Sequence, residues 1–328
     1  MRNIAILVLA VLAGVGSWFF TSNYKIEGLD DFRVTPRELA TGGPMNWVSR
    51  PPAAGAGETI RMASFNIQVF GSGKLAKPVV VQFLARIVRQ FDIVAVQEIR
   101  ARDQDILPRF VDAINATSRD YDYVIGPRIG RTSNKEQYAF IFDRATIEVD
   151  RRQLYTVSDP DDVLHWEPLV GWFRVRGPSP DQAFTFTLVN IHTDPDETAT
   201  ELDALDDVYR VVRDDGREED DVIVLGDLNV DDRHLGQLGQ VAGIAWAISG
   251  IPTNTRGNQQ YDNIIFHEKA TTEFSGRSGT YDFMREFNLT EAEALEVSDH
   301  LPVWAEFSAF EGGVSGRVAT RPDVSNRN

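Results

Sequence analysis

The sequence predicts an α/β sandwich in one domain, with two β-sheets packed face to face and helices outside. Three observations carry that expectation. The 328 residues, 42% hydrophobic and 25% charged, suffice for a sizeable buried core. The apolar pattern divides into two strand-rich halves, each with its own helices, and no internal repeat links them. Val222, Ile223, Val224 and Leu225 form a short apolar run between charged residues, the mark of a strand covered on both faces. This strand ends in Gly226-Asp227-Leu228-Asn229, and alternation along an extended backbone puts Asp227 and Asn229 on one face at its mouth. An ordinary turn is the competing reading, because Gly, Asp and Asn are also turn residues.

At the N-terminus, Arg2 precedes an uncharged run from Ile4 to Phe20, which has the positive front and apolar middle of an export signal and nearly spans a bilayer. No small-x-small cleavage site precedes Trp18-Phe19-Phe20, so a retained membrane anchor and a removed signal peptide both fit. With Arg2 cytoplasmic, either reading exports the remainder, as an anchored extracytoplasmic or a secreted protein. Gly and Pro recur from Thr21 to Gly57 without periodicity, as in a tether, although residues 26–34 could pack on the domain.

Ile60, Met62 and Ser64 then alternate into Phe65-Asn66-Ile67, a first strand. Pro78 opens a helix with Val80, Phe83, Leu84, Ile87 and Val88 on one face, and 91–96 returns as a strand ending in Gln97-Glu98-Ile99-Arg100. A second helix at 105–117 turns Leu107, Phe110, Val111 and Ile114 inward, before strands at 121–125, 138–142, 147–157, 169–175 and 184–191. Asp194 and Pro195 read as the cap and first turn of a long helix stopped by Gly216. After the Val222 strand come a strand at 261–267, a short helix capped by a Thr290/Glu293 box, and a closing strand at 303–307. Small, polar and charged residues from Gly312 predict a disordered tail. The expected bounds are an N-terminal signal or anchor at 1–20, a linker at 21–57, the folded domain at 58–310 and the tail at 311–328.

Polar residues recur where the apolar strands stop: Asn66, Glu98, His192, Asp227 with Asn229, Asp262 with Asn263, and Asp299 with His300. A net charge of -16 argues against sequence-blind attraction to phosphate backbones, so a polyanionic substrate needs cations to bridge the repulsion. The chain has no cysteine, which excludes disulfides, thiolate nucleophiles and Cys-ligated zinc. Several hard oxygen donors suit Mg²⁺ or Mn²⁺. Two of the five histidines, His192 and His300, belong to this set, with Glu136 and Asp262 as candidate acid partners. A carboxylate fixes the imidazole tautomer and raises its basicity for proton transfer. A structural role would have to explain both histidines and each neighbouring acid, which favours catalysis. His165, His234 and His267 lack such company and read as structural.

Six segments in order, Ser64-Phe65-Asn66-Ile67, Val96-Gln97-Glu98-Ile99-Arg100, Asn190-Ile191-His192-Thr193, Gly226-Asp227-Leu228-Asn229, Tyr261-Asp262 and Ser298-Asp299-His300-Leu301-Pro302, resemble the successive motifs of the endonuclease/exonuclease/phosphatase superfamily. The chain is most similar to its pancreatic-type deoxyribonuclease I branch, which residues 131–142 also resemble. The resemblance spans about residues 60–307. It implies a four-layered sandwich of two mixed sheets with helices outside, and metal-dependent phosphodiester hydrolysis. It makes Glu98 the leading metal ligand with Asn66 and Asp299 in support. Asp227 and Asn229 become the groups that position water, metal or phosphate, and His300 with Asp262 and His192 with Glu136 become two histidine–acid pairs whose roles as base and acid stay interchangeable. Arg100 is a candidate substrate contact, with a surface ion pair as the alternative.

The chain also departs from that branch. Gln68 stands where the branch has an arginine, Asn134 where it has a groove-contacting tyrosine, and Trp166 where it has a phosphate-binding arginine. Two cationic contacts and one stacking contact are thus missing, which weakens DNA binding, stacking alone being worth about 1–3 kcal/mol per base. Trp166 either restores a stacking surface or packs. The expected function is extracytoplasmic DNA endonuclease activity, with Mg²⁺ or Mn²⁺ as cofactor, Ca²⁺ as an optional structural ion, DNA as the partner and a monomeric chain. A phospholipid or small-molecule phosphodiesterase or phosphatase is the alternative, and a non-catalytic surface binding domain the third reading.

Overall fold

The computed structural model describes residues 58–217 and 219–313, together with the backbone of a small antiparallel pair, β1 (Tyr24–Lys25) and β2 (Thr35–Pro36). The signal or anchor at 1–20, the body of the 21–57 linker and the tail beyond 313 lie outside the described residues. Contacts divide the chain into Met1–Arg50, which holds the β1–β2 pair, and Pro51–Asn328, which holds every other described element. Among the described residues no helix is long and apolar enough to cross a membrane.

Strand β3 (Thr59–Phe70) shows how the layers arise. Ile60 and Met62 enter one apolar layer while Ala63, Phe65 and Ile67 enter another, because successive side chains on a strand point to opposite faces. β3 pairs in parallel with β4 (Ile93–Ile99) and antiparallel with β15 (Val303–Ser308). With β5 (Tyr121–Ile125), β6 (Gln137–Asp143) and β14 (Phe274–Thr280) they form a six-stranded sheet, order β14-β15-β3-β4-β6-β5. The second sheet centres on the parallel pair β10 (Thr185–His192) and β11 (Val222–Asp227). Antiparallel β9 (Leu169–Val175) and β13 (Asp262–His267) flank that pair. Beyond them lie β12 (Ile244–Trp246) on one side and β7 (Ile147–Val149) with β8 (Tyr155–Thr156) on the other.

Helices cover both outer faces. α1 (Ser72–Leu75), α2 (Pro78–Val88), α3 (Ile106–Asn115), α5 (Phe283–Glu286) and α6 (Glu291–Val297) lie on the six-stranded side, and α4 (Thr198–Arg213) packs on the other sheet. Pro78 supplies the first turn of α2, where its missing N–H costs nothing. α4 buries Leu202, Leu205, Val208, Tyr209 and Val212. At about 1.5–3 kcal/mol per large apolar side chain, that face and not helix propensity docks it. Between the sheets, Met62, Ile93 and Phe140 meet Phe173, Phe186 and Leu225. The result is the four-layered α/β sandwich.

Some elements differ from the sequence reading. The stretch 147–157 is broken, because Asp150 accepts from the Arg152 N–H at 3.0 Å and caps a 3-10 turn at Arg151–Gln153. Helix α4 starts at Thr198 and not at Asp194, whose carbonyl instead accepts the Thr198 hydroxyl at 2.8 Å. β14, rich in Ser and Gly, carries no alternation signal and exists by pairing with β15 across a bulge. The capping box is present: the Glu293 N–H meets Thr290 Oγ1 at 3.3 Å, and the Thr290 N–H meets Glu293 Oε2 at 2.8 Å.

Gly226 stands opposite Ile191 in the parallel ladder, and a Cβ there would lie 1.9 Å from the Ile191 carbonyl oxygen. The contact is backbone, so it does not relax by rotating a side chain. Gly226→Ala is expected to cost at least about 2–3 kcal/mol and to misplace Asp227. Thermal melting and activity should fall together; an unchanged melt would show that the strands have room to part.

Candidate active site

Parity builds the site. Tyr138, Leu188, Ile223, Leu225 and Ile264 face the layer between the sheets. Two residues along the same faces stand Glu136, Asn190, Asp227 and Asp262, with His192 two beyond Asn190. The apolar layer therefore ends in a polar rim. Gln97 Nε2 donates to Asn190 Oδ1 at 2.7 Å, and Asn190 Nδ2 donates to the Val96 and Ala139 carbonyls at 3.2 Å, which ties the sheets together beneath the site.

Asp227 Oδ2 is the point of convergence. Asn66 Nδ2 donates to it at 3.0 Å, and the Nε2 atoms of His300 and His192 lie 3.5 and 3.6 Å away. Behind each imidazole stands an acid: His300 Nδ1 is 2.9 Å from Asp262 Oδ2, and His192 Nδ1 is 3.0 Å from Glu136 Oε1. Thr253, which no sequence pattern marks, donates its hydroxyl to Asp262 Oδ2 at 2.7 Å.

Two residues reach the rim by other routes than the expected alternation. β11 stops at Asp227, and Asn229 takes a left-handed turn (φ 53°) whose N–H donates to Asp227 Oδ1 at 3.0 Å. The turn reading is thus correct as geometry, and the pair stays adjacent because of it. The Asn229 amide donates to the Thr193 carbonyl at 2.7 Å. Glu98 follows Gln97 on β4, so strict alternation would aim it at the helices. A bulge between Val96 and Ile99, with φ 61° at Glu98, turns it to the rim. There it accepts from the Val69 N–H at 2.7 Å and Asn66 Nδ2 at 3.3 Å, and pairs with Arg100 at 3.1 Å.

The electrostatics follow from burial and these contacts. Burial would raise the Glu98 carboxyl, but His192, Arg100 and the bonds from Val69 and Asn66 outweigh it and hold the group below its usual range. Burial would lower both imidazoles. For His192 the Glu136, Asp227 and Glu98 charges win, raising it to about 9; for His300 the Asp262, Asp227 and Asp299 charges raise it to about 10. Burial, with Asp262, pushes Asp227 up against the pull of His300 and His192.

In metal-free protein the His300 contribution to stability is full below pH 6.5, its unfolded value, and is lost as pH rises through about 10. The melting gap between the native chain and His300→Gln, measured in chelator, should therefore close between pH 6.5 and 10. A gap that widens with pH would reverse the sign of this coupling.

Arg100 is not free on the surface: besides Glu98 it lies 3.9 Å from Glu136 and donates to the exposed Asn134 Oδ1 at 2.7 Å. Trp166 requires a correction. It is 3% exposed, its ring stacks 4.6 Å from His192 at an interplanar angle of 12°, and its Nε1 donates to the Asn134 carbonyl at 3.1 Å. It packs and has no face left for a base. His165 also has more company than expected: its Nδ1 lies 2.7 Å from Asp194 and its ring is 4.2 Å from Trp166. Lys74, unmarked by any sequence pattern, is tied to the Ile67, Gln68 and Val297 carbonyls at 2.6–2.9 Å, joining β3, which bulges between Asn66 and Phe70, to the end of α6. Burial lowers it to about 8 despite Asp299 and Glu98. Beside it opens a cleft of about 750 Å³ lined in part by Lys74, Lys77, Arg100 and Arg102.

Residues 63–300 match the Endonuclease/Exonuclease/phosphatase family. The chain belongs to this family. Its curated relatives lie in the deoxyribonuclease I branch. Deoxyribonuclease gamma of Rattus norvegicus is 32% identical over 262 residues, covering 75% of this chain and 83% of the relative. Deoxyribonuclease-1-like 1 of Sus scrofa is 34% identical over 268 residues, covering 78% and 83%. Among solved structures, a Bacteroides thetaiotaomicron mannosyl-6-phosphatase aligns with a TM-score of 0.52 at 16% identity, covering 75% of this chain and 98% of that one, which bears on the fold alone. Membership makes this endonuclease/exonuclease/phosphatase protein a hydrolase acting on phosphodiester bonds.

The donor set of this family site fits a hard divalent ion. Glu98 is kept ionised, and Asp299 Oδ1 is buried without a hydrogen-bond partner on a side chain that is 44% exposed. Asp227, Asp262 and His300 also bring donors within 4.8 Å of one another, with His300 Nδ1 at Asp262 and its Nε2 facing Asp227.

Proposed function

We propose that the chain is a divalent-metal-dependent DNA endonuclease that works outside the cytoplasm. The observation that carries the mechanism is the convergence of both histidine Nε2 atoms on Asp227 Oδ2, at 3.5 and 3.6 Å. Glu136 and Asp262 hold each Nδ1 as the hydrogen-bonded nitrogen, leaving each Nε2 for the reacting oxygens. Asp227 and Asn229 orient water and the scissile phosphate. One imidazole, in its neutral form once a bound cation offsets the carboxylates that hold its proton, takes the proton of the attacking water as its oxygen bonds to phosphorus; the other, still cationic, gives a proton to the leaving oxygen as the P–O ester bond breaks. A cationic imidazole also stabilises charge gathering on the phosphoryl oxygens. Mg²⁺ or Mn²⁺ held by Glu98, Asn66 and Asp299 supplies, when bound, neutralisation of the phosphate charge.

DNA is the preferred substrate because the relatives named above are deoxyribonucleases; the cleft beside Lys74 adds Arg102 and, paired with acids, Lys77 and Arg100, but is also lined by Asp103 and Glu296. The second reading, a phospholipid or small phosphoester, is favoured by Gln68 and Asn134 and by the burial of Trp166. Export rests on Arg2 and the apolar run Ile4 to Phe20. Comparing kcat/KM on plasmid DNA, phospholipid vesicles and bis(p-nitrophenyl) phosphate, with and without Mg²⁺, separates these readings. DNA should lead by orders of magnitude; a lead for vesicles or the small ester would transfer the assignment.

A further inference from the structure

Lys74, half-buried on α1, is held by three backbone carbonyls: those of Ile67 at 2.7 Å, Gln68 at 2.6 Å and Val297 at 2.9 Å. An ammonium has three donors, so this set uses all of them. To bind a substrate phosphate, Lys74 would have to give one up.

The peptide groups behind those carbonyls lead to the ion's residues. Ile67 and Gln68 supply the oxygens of two consecutive peptide groups, whose N–H ends are the Gln68 and Val69 amides. The Gln68 N–H donates to Asn66 Oδ1 at 2.8 Å, and the Val69 N–H donates to Glu98 Oε2 at 2.7 Å. Each peptide group thus stands between the Lys74 ammonium and one residue assigned to the ion. Gln68 and Val69 hold φ at 48° and 51°, left-handed values that are costly for any side chain and most of all for a β-branched valine. The ammonium's bonds oppose that cost. The third carbonyl, Val297, ends α6. Ser298 follows, its hydroxyl donating to the Asn66 carbonyl at 2.7 Å, and Asp299 comes next.

We propose that Lys74 is a positioning residue for the divalent ion: its ammonium locks the left-handed turn at Gln68 and Val69 to the end of α6, and so sets Asn66, Glu98 and Asp299 at the spacing one ion needs. The inference rests on the reading of those three residues as the ion's ligands. Hydrogen bonds in series polarise one another, so a cation on the carbonyl side also strengthens the two N–H bonds on the other.

The sign of the effect separates this role from plain electrostatics. Lys74 feels the charges of both Asp299 and Glu98, so as a bare cation it repels an incoming one, and neutralising it would tighten metal binding. As a positioning residue, its loss weakens binding.

The test is Mn²⁺ titration of the chelator-stripped full-length chain without DNA, reading free Mn²⁺ by electron paramagnetic resonance, for the native chain, Lys74→Met and Glu98→Gln. The site that Glu98→Gln removes should be weakened about 10–100-fold in Lys74→Met, the range for groups that orient metal ligands. In plasmid nicking the half-maximal Mg²⁺ concentration should rise by a similar factor, with KM for DNA and its salt dependence unchanged. Lys74→Gln keeps two donors for the three carbonyls and disturbs the turn less. It should shift the affinity in the same direction, and it carries the comparison if Lys74→Met melts below the assay temperature. Equal or tighter Mn²⁺ binding by the folded Lys74 variants overturns the proposal, even with a lowered melting midpoint. A raised KM for DNA at unchanged Mn²⁺ affinity also overturns it and makes Lys74 a substrate contact. If the native chain shows no Mn²⁺ site that Glu98→Gln removes, the ligand assignment itself fails and this proposal with it.

Discussion

Replacing His300 with alanine should lower kcat for plasmid nicking by about 10²–10⁴-fold, the range expected for loss of one positioned acid or base, with KM for DNA little changed. His300 makes one strong side-chain contact behind it, to Asp262, and faces Asp227 in front, so truncation removes the proton carrier and little packing. His192→Ala should cost as much in rate but more in stability, because its ring is the surface on which Trp166 stacks. The double variant should lose less than the product of the two single losses, since the pairs act on one reaction as a unit. Near-native rates in either single variant, at an unchanged melting midpoint, would remove that histidine from the chemistry.

Glu98→Gln should raise the Mg²⁺ concentration for half-maximal activity by more than about 100-fold, because even indirect partners of a metal site are worth 10–100-fold in affinity. The substitution keeps the size of the side chain and an acceptor for the Val69 N–H, so the β3 and β4 bulges should hold. It removes the charge that pairs with Arg100 and the anion that burial alone would have protonated. Activity should therefore return in part at high Mg²⁺ or Mn²⁺. An unchanged metal dependence would assign the ion to other ligands.

The placement of Asn66, Asp227, Asp262, Glu136 and His192 is legible in the sequence because each lies on the parity of an apolar run that packs between the sheets. Periodicity fixes which face a residue joins, and the ends of such runs mark the rim. Glu98 reaches the rim against that rule. Its position depends on left-handed φ values at Glu98, Gln68 and Val69, none of them glycine, and nothing local in the sequence announces such a bend. The packing of Trp166 is hidden for a related reason: its burial needs His192 from another strand to close over it, a contact no local pattern records. The same holds for Lys74, whose three carbonyl partners come from two segments more than 200 residues apart. β14 is invisible because its pairing with β15 supplies the order that its Ser- and Gly-rich sequence lacks.

The most direct measurement is conversion of supercoiled plasmid to open circle by the chelator-stripped full-length protein as divalent metal is restored. Open circle should appear on addition of Mg²⁺ or Mn²⁺ to the native chain and should be absent without metal and from the His192→Ala, His300→Ala double variant. No nicking under any combination of Mg²⁺, Mn²⁺ and Ca²⁺, or equal nicking by the double variant, would contradict a metal-dependent DNA endonuclease built on the two histidine–acid pairs.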